Sequence, residues 1–225
     1  MGSGEPTMNQ DNQVRVWDPF IRIFHWLLVI AFFTAYLTEG EPEWLHAWAG
    51  YLIVGLLALR IIWGFIGSEH ARFSSFVFSP GTILAYLRDI IRGRAAYYRG
   101  HNPAGGAMIL AIILSLLITS GAGMVVLAGE EGEGPLAGWL IATPEMQSGV
   151  APGETHNKSE EGEEAHEEEE HEESALVETA EEVHELFANL TLALVILHVI
   201  AVIVESIRER QNLVRSMFTG YKRGH

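Results

Sequence analysis

Four stretches of this chain, at about residues 20–38, 46–66, 107–128 and 183–204, are long and apolar enough to cross a lipid bilayer. A helix needs ~20 apolar residues to span ~30 Å of hydrocarbon. Inside that layer each backbone N–H and C=O must find its partner within the protein, which leaves α-helix as the form such segments take. With 48% hydrophobic residues in 225 and a positive mean hydropathy, composition agrees with an all-α integral membrane protein built as a four-helix transmembrane bundle. PLAGWLIA, near residue 135, is too short to be a fifth span. The opening through Trp17 carries no basic-then-apolar signal with a small-residue cleavage site, so the first span reads as an uncleaved anchor. MGSGEPT, residues 1–7, reads as an added leader ahead of Met8.

Charge sets the expected orientation. Arg15 and Arg22 precede or open the first span, Arg72, Arg88, Arg92, Arg94 and Arg99 lie between the second and third, and Arg208, Arg210, Arg215, Lys222 and Arg223 follow the fourth. By the positive-inside rule both termini and the second connection are cytoplasmic. This divides the chain into a tail (1–16), three transmembrane helices with an interfacial helix (17–128), an outward acidic loop (129–181), a fourth helix (182–206) and a basic tail (207–225). The interfacial helix, near 80–93, is predicted because Ile83, Leu84, Leu87, Ile90 and Ile91 fall at i, i+1, i+4, i+7 and i+8 beside Arg88 and Arg92. HNPAGGAM supplies a turn before the third span.

The acidic stretch contains GEEGEG and HNKSEEGEEAHEEEEHEES, with Lys158 as its one lysine, and it outweighs the whole formal charge of −15. Such composition buries too little apolar surface to fold by itself, so a solvated loop is expected. Two further readings are a docking surface for a basic partner and loose divalent-metal capture by His156, His166 and His171. The spacings of those three match no fixed ligand motif.

Histidines inside the spans carry the chemistry. His184 and His198 are fourteen positions apart on the last span, which at ~100° and ~1.5 Å per residue puts both on one face roughly 21 Å apart. His25 and His46 occur at matching depths on the first two spans, His25 with His198 and His46 with His184. Ionisable groups at membrane depth are expensive and have partners. Four imidazoles in two layers predict two stacked haems, each held between two histidines. The chain has no cysteine, which excludes thiolate ligation, iron–sulfur clusters and covalent c-type attachment, so both haems are expected to be b-type. Gly50 and Gly64, and Gly121 with Gly123 on the third span, are candidates for letting a flat ring approach backbone; close helix packing is the equal alternative. Arg60, fourteen residues after His46, is placed to meet a haem propionate or a quinone carbonyl, with Arg15, Arg22 and Arg72 at the same boundary. Trp17, Trp26, Trp44, Trp48 and Trp63 read as an aromatic belt, and His70, His101 and His225 as solvent-exposed.

VRVWDPFIRIFHW, HAWAGYLIVGLLALRIIWGFIGSEHARF, HNPAGGAM and the two-histidine last span resemble the bacterial cytochrome b561 family. That family includes the b-type cytochrome subunits of nickel–iron hydrogenases. The resemblance implies a dihaem protein of the bacterial inner membrane passing electrons between the quinone pool, ubiquinone or menaquinone, and a periplasmic partner such as a cytochrome c or a dehydrogenase or hydrogenase subunit. It implies His25 and His198 on the cytoplasmic-side haem iron and His46 and His184 on the periplasmic-side one. The acidic stretch departs from the family pattern. A superoxide:quinone oxidoreductase ranks second, because a negative outer face repels an anionic substrate. A membrane-anchor cytochrome b subunit of a hydrogenase or dehydrogenase complex ranks third, since it needs a further subunit. A homodimer is compatible with all three, and no nucleic-acid partner is expected.

Overall fold

The computed structural model describes residues 13–39, 42–140 and 160–223, without side chains at 139–140, 160–174 and 223. Its long elements are all α. Helix α1 (Pro19–Leu37) and α2 (Glu43–Ile66) form a packed hairpin. A 3-10 turn (Phe73–Ser75) leads to α3 (Pro80–Ile91), then come α4 (Pro103–Glu130), the single turn α5 (Ala137–Leu140), α6 (Glu160–Arg208) and the short α7 (Leu213–Thr219). Four of them contain candidate membrane spans: α1, α2, α4 and the Ala175–Arg208 part of α6. Their apolar side chains face outward, with Leu37 78%, Phe65 71% and Ile66 72% exposed, a surface that only lipid or another protein satisfies.

Three helices start the same way. In Asp18-Pro19, Ser79-Pro80 and Asn102-Pro103 the first residue caps and the proline opens the helix. Asp18 accepts from Ile21 N at 2.9 Å, Ser79 from Thr82 N at 3.3 Å and Asn102 from Gly105 N at 2.7 Å. A short polar side chain satisfies an orphan N–H, and proline, lacking one, loses nothing at that position. Asp18 also accepts from Ser68 Oγ and from Trp63 Nε1 at 3.3 Å, tying the start of α1 to the end of α2. Burial raises its pKa, but the hydrogen bonds from Ser68, Ile21 and Trp63 outweigh this and hold the carboxyl below its usual range.

The chain divides into two compact units, residues 1–113 with 192–225, and residues 114–191. In the first, β1 (Gln13–Arg15) pairs antiparallel with β2 (Tyr221–Arg223). Val16, Trp17, Ile21 and Ala71 form a buried cluster flanked by Phe20, Trp63 and Met217. Trp17 is thus core and not belt, donating Nε1 to Ser216 Oγ at 3.3 Å. Trp44 and Trp48, 64% and 67% exposed, do lie on the surface. The basic tail is likewise folded: α7 and β2 return against Trp17, and Lys222 is 7% exposed with Nζ 5.5 Å from the Trp17 ring. In the same unit Glu205 accepts from Tyr86 Oη at 3.4 Å, Asn102 Nδ2 at 3.1 Å and Arg208 Nε at 2.9 Å, which pins α3 and the start of α4 to the end of α6.

In the second unit a polar seam joins α4 and α6. Ser115 Oγ and Thr191 Oγ1 are 2.7 Å apart, and both side chains are buried. Such interhelical bonds are worth roughly 0.6 kcal/mol each in lipid. A Cβ on Gly129 would stand 2.2 Å from Val177 Cγ2, so glycine there permits the close approach.

A further expectation is corrected. The acidic connection is not loop throughout: the backbone is helical from Glu160 and runs without a break into the last span. Glutamate is a good helix former, and a helix already nucleated in the membrane extends at the cost of propagation alone. At ~1.5 Å per residue the 49 residues of α6 make about 75 Å of helix contour, more than twice the hydrocarbon thickness.

Candidate redox centre

His46 and His184 are held by the same device. His46 Nδ1 lies 2.9 Å from the Ala35 carbonyl oxygen on α1, and His184 Nδ1 lies 2.9 Å from the Thr119 carbonyl oxygen on α4. A carbonyl only accepts, so each Nδ1 carries the proton and donates. The lone pair is left on Nε2, the arrangement in which a second hydrogen bond orients a metal-binding imidazole. The two carbonyls are eleven and sixty-five residues from their histidines, so each ring is fixed by a different helix from its own.

His25, on α1, keeps Nδ1 buried without a hydrogen-bond partner and stacks edge-on against Trp26 at 5.1 Å. His198 on α6, in the same unit, lies within electrostatic range of it.

The glycines divide by what surrounds them. A Cβ on Gly50 or Gly121 would meet nothing within 4 Å, leaving room beside α2 and α4 for a flat ring. At Gly123 the ring admitted is an imidazole, since a Cβ would stand 2.8 Å from His184 Cε1 and Nδ1. Gly64 instead accommodates Phe73, whose Cε2 would be 2.1 Å from a Cβ. Arg60 is 3% exposed, its guanidinium carbon 5.2 Å from the Phe73 centroid and 5.6 Å from that of Phe76, and its NH1 is buried with no hydrogen-bond partner. A cation over aromatic faces is favourable, but an orphaned guanidinium N–H still calls for an acceptor, and a propionate carboxylate is a chemically apt one. Arg15 on β1 and Arg72 ahead of the 3-10 turn are exposed. Arg22 donates NH1 to the Thr219 carbonyl at 3.3 Å.

His101 corrects the expectation of exposure. Its ring sits 4.6 Å from Trp17 and 5.0 Å from Phe76, with Nδ1 buried and unpartnered, within range of the charges of Lys222 and Arg60. HNPAGGAM, expected to supply a turn, instead opens α4 from Pro103, and a Cβ on Gly106 would stand 2.2 Å from the Phe76 carbonyl oxygen, so its small residues mark a close approach. His70 is half-buried, close to Gly100. His225 and His156 lie outside the described residues, and the side chains of His166 and His171 are not described. Among the described residues no cluster of three or more His, Cys, Asp or Glu could hold a metal ion.

Burial, reinforced by Lys222 and Arg60, pushes the His101 imidazole down to about 3 from an ordinary 6.5. A group depressed on folding binds its proton more readily when unfolded, so its contribution is full above pH ~6.5 and drains away as pH falls toward ~3. Thermal melting from pH 7 to pH 5 is therefore expected to show a loss of up to roughly 1 kcal/mol per pH unit below pH 6.5, and His101→Phe is expected to flatten that slope. Parallel profiles for the two proteins would refute the assignment.

Residues 16–220 match the family described as prokaryotic cytochrome b561. A "Probable Ni/Fe-hydrogenase B-type cytochrome subunit" of Rhizobium leguminosarum bv. viciae is 24% identical over 251 aligned positions, covering 96% of this chain and 91% of that protein. A protein of the same description from Azotobacter chroococcum mcd 1 is 26% identical over 175 positions, covering 62% and 72%. No solved structure matches the chain significantly.

Proposed function

The chain belongs to the prokaryotic cytochrome b561 family, and from that premise we propose that it is the membrane-embedded b-type cytochrome subunit of a hydrogenase- or dehydrogenase-type complex. It would carry electrons between an outward-facing catalytic subunit and quinone. The observation that carries the electron-transfer part is the matched fixing of His46 and His184 through Nδ1 to backbone carbonyls. The subunit reading, ranked third from sequence, moves to first because a relative covering 96% of this chain is described as such a subunit.

Haem b held at these positions supplies one-electron transfer. In this reading His25 and His198 would hold the haem at the basic end of the spans, and His46 and His184 would hold the one at the other. Gly50 and Gly121 leave space for the rings. Arg60 offers its unpartnered N–H groups to a propionate at the basic end, which the positive-inside rule makes cytoplasmic. Removing that cation disfavours the reduced, less positive haem, so Arg60→Leu is expected to lower one potential and leave the other in place. A redox titration with both potentials unmoved would leave Arg60 a packing role only.

The whole reading is tested by purifying the chain from its native membrane. Expected are a b-type spectrum, about two haems per chain, a co-purifying hydrogenase or dehydrogenase subunit whose substrate reduces the haems, and reoxidation by quinone. A colourless protein, or a chain that consumes superoxide rapidly without any partner, would overturn it. The helical acidic segment suits steering of a basic partner surface. Deleting residues 154–173 is expected to keep both haems, slow reduction by the partner and flatten its salt dependence, because such charges are screened over ~8–10 Å at physiological salt. Equal salt slopes in the two forms would remove the steering role.

A further inference from the structure

On the first unit, α1 and α7 enclose a groove of about 280 Å³ lined by Arg22, Ile23, Trp26, Leu27, Ile30, Met217 and Phe218. Three features make it unlike ordinary lipid-facing surface. Ile23, Leu27 and Ile30 step along one helix face at i, i+4 and i+7, an apolar track running ~10 Å into the membrane from the level of Arg22. Two side chains of the same groove, Arg22 and Trp26, each keep a buried N–H without a hydrogen-bond partner, Arg22 Nε and Trp26 Nε1. Trp26 is also held in place, stacked on Phe218 with centroids 4.4 Å apart. Nothing in the redox centre uses these donors.

We propose that this groove binds one anionic phospholipid, its phosphate accepting hydrogen bonds from Arg22 and the Trp26 indole, and one acyl chain lying along Ile23, Leu27 and Ile30. Charge selects the occupant. The groove opens at the span end where Arg72, Arg88, Arg92, Arg94, Arg99, Arg208, Arg210 and Arg215 are concentrated, and a basic membrane boundary gathers anionic headgroups. A phosphate monoanion matches the guanidinium fork of Arg22, whereas a quinone head offers only neutral carbonyls. The volume lies at the small end of ligand pockets and suits a single chain. The lipid would also bridge α1 to α7, adding to the Arg22–Thr219 hydrogen bond.

The test is native mass spectrometry of the full-length haem-loaded protein in micelles containing phosphatidylglycerol or phosphatidylcholine of identical chains. Wild type is expected to retain one phosphatidylglycerol, and phosphatidylcholine about fivefold less, the factor that roughly 1 kcal/mol of charge attraction gives. Arg22→Gln is expected to reduce phosphatidylglycerol to the phosphatidylcholine level, and Trp26→Phe, which keeps the ring on Phe218, to weaken it by a smaller factor. Arg88→Gln, a charge-matched change at an exposed position of α3, is expected to retain it. The haem spectrum checks each variant for folding. Should Arg22→Gln not fold, Trp26→Phe decides. Equal retention of the two lipids, undiminished retention by both groove variants, or displacement by equimolar ubiquinone would overturn the proposal.

Discussion

His198→Ala is expected to remove about half of the bound haem and leave the remainder spectrally normal. His184 and His198 share α6 but are fourteen residues apart, a separation of roughly 21 Å along the axis, too far for one haem to use both. His198 instead lies within electrostatic range of His25, so His25→Ala is expected to cause the same loss and the double variant no further one. A bis-imidazole site stripped of one ligand leaves the partner ring unengaged at membrane depth, where unpaired polar groups are costly. Quantitative haem extraction, with melting as the check on folding, reads the outcome. Loss of both haems from a folded protein, or of neither, would sink the assignment of the two histidines to different haems.

A single methyl group is expected to remove the other haem. In Gly123→Ala the new Cβ would lie 2.8 Å from both Cε1 and Nδ1 of His184, well inside contact distance, so the imidazole must move. Its 2.9 Å bond to the Thr119 carbonyl is the contact that movement breaks. Loss of such a supporting hydrogen bond costs about 10–100-fold in metal affinity, enough for the haem at this depth to be stripped during detergent purification while the His25–His198 site keeps its own. The check is haem stoichiometry and redox titration together: one haem with one potential is expected. Two haems with wild-type potentials would show that His184 tolerates displacement and is not held to that geometry by iron.

The four spans are legible because hydropathy integrates over twenty residues, whereas the start of α4 at Pro103, capped by Asn102, lies in a stretch that reads as a turn. What escaped depended on distant partners. His101 reads as a polar residue in a connection, and only the arrival of Trp17 and Phe76, from elsewhere in the chain, buries it. Trp17 reads as part of an aromatic belt by its position, and Ser216, 199 residues away, makes it core. Gly64 and Gly123 read as sites of close approach, but the rings they admit, Phe73 and His184, reach them only in the folded chain. The helix from Glu160 was hidden for a different reason: hydropathy weighs whether a segment folds alone, and this one continues a helix that the membrane has already organised.

The three-residue strand ahead of α1 pairs with the one after α7, with Arg15 opposite Tyr221. About 200 residues separate the partners, so at ~5–20 residues per second of synthesis the first strand waits tens of seconds for its mate. The hairpin of α1 and α2 is complete long before. Closure of this end thus follows synthesis of all four spans, and it acts as a seal that only a chain translated through β2 can make. A product truncated after α6 would carry every span and all four histidines, yet leave Trp17 and His101 uncovered by Lys222, an exposed aromatic surface by which membrane quality control could tell unfinished chains from finished ones.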